Sequence, residues 1–166
     1  MIMADVFKIL FLILGTLIVF VSYWLAATAL FPRAVSSARA QYDLHAFRIT
    51  LVGALVGVPV FALGLLLVTQ APTPLLKLAG GALLAVPILL GLLGSAGLSE
   101  RIGVGMPSLV DEHQPWRRVM RGGVVLSLTF LLPVVGWFVV LPWTVLSGFG
   151  AAVSSMAAAT RRPRPA

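Results

Sequence analysis

The sequence predicts an all-α integral membrane protein, a four-span helical bundle whose last span is broken by proline. Three observations carry that expectation. Hydrophobic residues make up 60% of the chain and charged residues only 10%, for a mean hydropathy of +1.06. A water-soluble protein of 166 residues has no core large enough to hide that much apolar surface. The apolar residues fall into runs close to or above the ~20 residues that a helix needs to cross hydrocarbon. Finally, the arginines sit in the connections that flank those runs, where topology signals and headgroup contacts belong. The whole chain, 1–166, reads as a single transmembrane domain.

The first span is expected over 9–30, with Tyr23, Trp24 and Phe31 toward its far end as belt aromatics. Lys8 followed by an apolar stretch and Ala27-Thr28-Ala29 also fits a signal peptide with an A-x-A cleavage site. The stretch is long for a signal core and close to a full crossing, so a retained helix is expected.

A polar connection, 32–48, follows. Pro32 suits a first helical turn, and that helix is expected to run on into a second span over 49–68. The short link "TQAPTP" then leads to a third span over 75–98, which forces the two spans to be antiparallel neighbours. Gly53, Gly57 and Gly64 share one helical face of the second span, and Gly80, Gly91 and Gly94, with Pro87, share one of the third. Small residues on facing helices allow the close backbone approach that holds helices together in lipid, so these six glycines are predicted packing positions. Pro59 and Pro87 each remove a backbone bond within a span and are expected to bend it.

Residues 100–121 form the longest polar segment. It is expected to be a surface connection with an interfacial piece held at headgroup level by Trp116, Arg117, Arg118 and Arg121. The last apolar run, predicted as a span over 122–156, has no charge from Gly122 to Thr160, 39 residues in all. As one helix it would extend ~58 Å, against ~30 Å of hydrocarbon. Pro133, Gly136 and Pro142 are the predicted hinge, giving a re-entrant segment or a helical hairpin; a single kinked crossing is the alternative. The polar tail, 161–166, closes the chain.

The arginines weigh on that choice. With three ordinary spans first, Arg33, Arg39, Arg48, Arg101, Arg117, Arg118 and Arg121 share one side, and Lys8 and Lys77 lie opposite. A single crossing sends Arg161, Arg162 and Arg164 to the lysine side and splits the charges seven to five. A turn-back splits them ten to two and places the long connections on the cytoplasmic side.

The available chemistry is narrow. Cysteine is absent, which removes disulfides and thiolate metal sites. The net charge of +7 does not gather into a basic patch with interleaved aromatics, so nucleic acid is not an expected partner. The runs 9–30, 49–76, 78–99 and 122–160 hold no Asp, Glu, Lys, Arg or His. That argues against proton-coupled transport and against buried haem; no cofactor is expected. Asp43, His45, Glu100, Asp111, Glu112 and His113 should share one membrane side, and His45, His113, Asp111 and Glu112 are weak candidates for a metal site. The plainer expectation is that the carboxylates pair with Arg39, Arg48 and Arg117. Arginine outnumbers lysine ten to two, and Ala, Gly and Pro are abundant, which points to a GC-rich bacterial genome and hence to a bacterial inner membrane. The function expected is that of a non-catalytic accessory subunit of a larger membrane complex, with other membrane subunits and anionic lipids as partners. A small transporter or lipid-handling protein with a cavity at the broken last segment is the alternative, and an interfacial enzyme using His45 and His113 a third.

Overall fold

The computed structural model describes residues 2–106, 114–132 and 134–161, and among them every regular element is helical. In chain order these are α1 (Ile2–Leu30), α2 (Pro32–Gln70), α3 (Pro74–Val104), α4 (Pro115–Phe130), a five-residue π-helical turn (Gly136–Val140) and α5 (Leu141–Arg161). Four stretches are long and apolar enough to cross a membrane: Asp5–Leu30, Pro32–Gln70, Pro74–Val104 and Gly136–Ala158.

Proline sets the starts of three of these helices. Pro32, Pro74 and Pro115 stand in the first turns of α2, α3 and α4, where the missing N–H costs nothing. The ring also disfavours helical geometry in the residue before it. Phe31, Thr73 and Gln114 accordingly leave the helical region, at φ/ψ of −128/55, −111/144 and −135/78 degrees. Each reversal between long helices therefore rests on an X-Pro step.

Close approaches fix the helix directions. Gly64 of α2 faces Gly80 of α3, while Ala38 and Arg39 face Gly97, so α2 and α3 are antiparallel. Val145 and Gly148 of α5 lie beside Gly91 and Gly94 of α3 in the same order, so these two are parallel. Leu146 and Gly150 meet Gly53 and Ile49 of α2, which is antiparallel packing. Arg118 lies against Gly103 and Gly122 against Ser99, so α4 runs antiparallel to α3. Gly123 faces Trp24, and the Phe130 ring meets Phe20 at 5.3 Å, so α4 also runs antiparallel to α1.

The chain therefore reverses between α4 and α5. The start of α4 and the end of α5 lie at the end of the bundle where α1 and α3 finish and α2 begins. α4 is 16 residues long, about 24 Å at 1.5 Å per residue, and its last residue packs at Phe20, well short of the start of α1.

The connection 32–48 is helical and continuous with the second span. Two boundaries differ from the sequence expectation. α3 runs on to Val104, and the run expected over 122–156 is two elements, the first beginning at Pro115. Trp116, Arg117, Arg118 and Arg121 thus belong to α4 instead of a surface connection. Inside α2 the residue with non-helical dihedrals is His45 (φ −153, ψ 62), not Pro59. The Thr50 hydroxyl donates to the Ala46 carbonyl at 3.0 Å beside this kink, a bond common where a helix bends.

Burial is concentrated at the end of the bundle that holds the arginines. Trp24, Tyr42, Ile49, Val35, Val119, Ser95, Ser99, Ser127 and Ser147 are its largest fully buried side chains among the described residues. Trp24, expected in an aromatic belt, is instead a core residue that donates its indole N–H to Ser95 Oγ at 2.9 Å. By contrast, Asp5 to Val19 of α1 is exposed along almost its whole length.

Candidate functional site

Three features occupy the arginine-bearing end. The first is an ion-pair network across helices. Arg39 of α2 donates to Glu100 of α3 at 2.9 Å and lies 3.8 Å from Asp43, and Arg101 approaches Asp43 at 3.2 Å. Glu100 is 7% exposed. A carboxylate that dry is costly without a partner, and its guanidinium neighbour offsets the desolvation. Arg48 and Arg117, expected to join such pairs, do otherwise. Arg48 forms no ion pair among the described residues, and Arg117 stacks on the Trp116 ring at 5.3 Å.

The second feature is the seam that binds α5 between α2 and α3. Of the six glycines predicted to pair α2 with α3, Gly64 and Gly80 do face each other. Gly53, Gly57, Gly91 and Gly94 face α5 instead. The partners are supplied by "SGFG": Gly148 turns toward Gly91 and Ser95 of α3, and Gly150 toward Ile49 and Gly53 of α2. Two positions apart on a helix point to widely separated faces, so this pair lets α5 approach both neighbours at backbone distance. Tyr42 then donates its hydroxyl to Ser147 Oγ at 3.0 Å, joining α2 to α5 in a buried site.

The third feature is a cavity of about 380 Å³ between the kinked part of α2 and the last turns of α5. Gln41, His45, Arg48 and Ser154 provide its polar lining, and Ile49, Val52 and Val153 its apolar side.

At the hinge the described residues are either packed or turned outward. Gly136 is buried with its backbone against the Thr129 and Phe130 carbonyls. Val134, Val135, Trp137, Phe138 and Val139 point outward, each more than half exposed. The Leu141 N–H bonds back to the Gly136 carbonyl, five residues away, which closes the π turn just before Pro142. Pro142 is exposed in the first turn of α5. Pro133 lies outside the described residues.

No protein-family model matches this chain, and no curated protein or solved structure matches it either.

The described residues gather few catalytic groups. Among the described residues no three His, Cys, Asp or Glu side chains come together in a group able to hold a metal ion. His45 lines the cavity, while Asp111, Glu112 and His113 lie outside the described residues. Trp116, Trp137 and Trp143 are all exposed.

Sequence reasoning overlooked three groups of contact residues: the serine partners Ser95 and Ser147, the α5 glycines Gly148 and Gly150, and the cavity residues Gln41 and Ser154. The signal for the glycines was present as the spacing of "GFG", which reads as a weakly apolar helix end until a neighbour is known on each side.

Proposed function

We propose that this protein is a non-catalytic, multi-pass subunit of a bacterial inner-membrane assembly, and that α1 and the hinge supply its docking surface for another membrane subunit. The carrying observation is the uneven attachment of α1. Its C-terminal part is held by Trp24, Phe20 and their contacts with Phe130 and Ser95. Its first half, with Phe7, Phe11 and Ile18 each more than half exposed, is left uncovered by the described residues because α4 stops partway. Trp137 and Phe138 stand exposed at the turn after α4. Helix association in lipid depends on packing and not on a hydrophobic drive, and a bare helix with an empty place beside it offers room for a partner helix.

In this reading α1, α2 and α3 cross the membrane, while α4 and the helical stretch Gly136–Ala158 form a hairpin that enters and leaves on the arginine-bearing side. The arginine-bearing end is cytoplasmic, which gives the basic residues one predominant side. The absence of ionisable residues from the apolar runs supports a structural role over proton-coupled transport. The hinge, where a transport cavity was the alternative, is close-packed or outward-facing at its described residues.

Site-specific photocrosslinking in native membranes tests the proposal. A photoreactive residue at Phe11 or Trp137 is expected to capture one discrete membrane protein, and one at Leu51, on an exposed stretch of α2, is not. Lipid adducts alone at all three positions, with migration at monomer size after gentle solubilisation, would refute it.

A further inference from the structure

From the cavity at the α2 kink, we infer that the protein holds one anionic glycerophospholipid there, its phosphate on Arg48 and His45. The inference rests on the membrane-embedded reading above, and goes beyond it in naming a ligand and a site.

Along α2 the lining passes from polar to apolar. Gln41, His45 and Arg48 bring an amide, an imidazole and a guanidinium. Ile49 and Val52 follow toward the apolar run, and α5 adds the Ser154 hydroxyl with Val153, Ala157 and Ala158. The division falls at the depth such a ligand requires. Arg48 is the last charged residue before the uncharged run 49–76, so its guanidinium stands where headgroup gives way to hydrocarbon. Guanidinium is also the side chain best matched to phosphate, with planar paired donors.

Arg48 is available for that role. The described carboxylates of the same bundle end are already engaged, Glu100 by Arg39 and Asp43 by Arg39 and Arg101. Among the described residues no carboxylate lines the cavity to repel an anion or to compete for Arg48. The space itself comes from the backbone. At His45 α2 departs from helical geometry, so the turns on either side of the kink do not continue one cylinder against α5. At about 380 Å³ the cavity, open on the side where His45 and Arg48 are exposed, is large enough for a phosphate and its glycerol and too small for a whole lipid. The acyl chains would continue outward along Val52.

The test is lipid retention by native mass spectrometry, with protein released from nanodiscs of equal phosphatidylglycerol and phosphatidylcholine. The unmodified protein is expected to keep one phosphatidylglycerol in preference to phosphatidylcholine. Arg48→Gln combined with His45→Gln should lower that occupancy about tenfold or more, the scale of one charge-assisted hydrogen bond. Val153→Phe, which narrows the cavity and leaves the charges alone, should lower it comparably. Arg33→Gln removes a charge from the same end outside the cavity and should leave it unchanged. Equal loss with Arg33→Gln, or retention in both cavity variants, would mean diffuse attraction and overturn the site. Displacement of the lipid by millimolar inorganic phosphate, with phosphate bound in its place, would overturn the lipid assignment. Flotation of each variant with vesicles is scored separately: a protein that fails to float refutes the membrane reading beneath this inference, whereas one that floats without a retained lipid refutes the site alone.

Discussion

At the scale of single residues, the two carboxylates that share Arg39 are not equivalent. The Glu100 side chain is 10% exposed and that of Asp43 is 51% exposed. Water screens Asp43 and can replace its partner, so Asp43→Asn is expected to cost under about 1 kcal/mol. Glu100→Gln leaves Arg39 without its buried counter-charge and should cost about 1–3 kcal/mol. Thermal unfolding of the two variants in one detergent is the measurement, and equal shifts would show that the buried pair has no special weight. The same contrast explains which residues were readable beforehand. A carboxylate near arginines is visible in any sequence, but the choice of Arg39 and Arg101 over Arg48 and Arg117 depends on the continuation of α2 and α3 beyond the apolar runs. Trp24 was misplaced for a related reason: an aromatic near a span end is read as a belt residue, and only Ser95 on another helix gives its indole N–H a reason to be buried.

At the scale of elements, the seam between α3 and α5 is where backbone proximity matters most. A Cβ built on Gly94 would overlap the Gly148 backbone, and one on Gly148 would overlap that of Gly91. Gly81 lies on the same helix as Gly94 with nothing within 4 Å. Gly94→Leu and Gly148→Leu should therefore push α5 away and destabilise the fold by roughly 3 kcal/mol or more, within the range of severe packing faults. Gly81→Ala should be neutral or stabilise by about 0.5–1 kcal/mol, because it removes a glycine from a helix interior without a clash. Detergent melting temperatures that fell equally for Gly81→Ala and Gly94→Leu would refute the seam. Helix existence was legible from hydropathy and proline position, since both are local. The partner of each glycine face was not. Gly53 and Gly57 satisfy the small-residue pattern whether α3 or α5 approaches, and the kink at His45 has no proline to announce it.

At the scale of the whole molecule, the course of the last run decides on which side the arginines collect. Helix directions place the start of α4 and the end of α5 together, with Arg161 closing α5. That reversal needs the hinge to be tolerable inside the bundle, and Gly136 meets the need by letting its backbone sit against Thr129 and Phe130. Ser37, in the first turns of α2, and Ala158, near the end of α5, lie at the same end of the bundle, with Thr73 in the α2–α3 link at the other. All three are exposed, and the chain contains no cysteine, so single substitutions are clean reporters. Ser37→Cys and Ala158→Cys should react with a membrane-impermeant maleimide only after cytoplasmic access is given, and Thr73→Cys should react from outside in intact cells. If Ala158→Cys instead labelled together with Thr73→Cys, the last run would cross once and the arginines would divide between the two faces. The same experiment would then remove the docking place beside α1, since a last run that crossed without reversing would leave no half-length helix there.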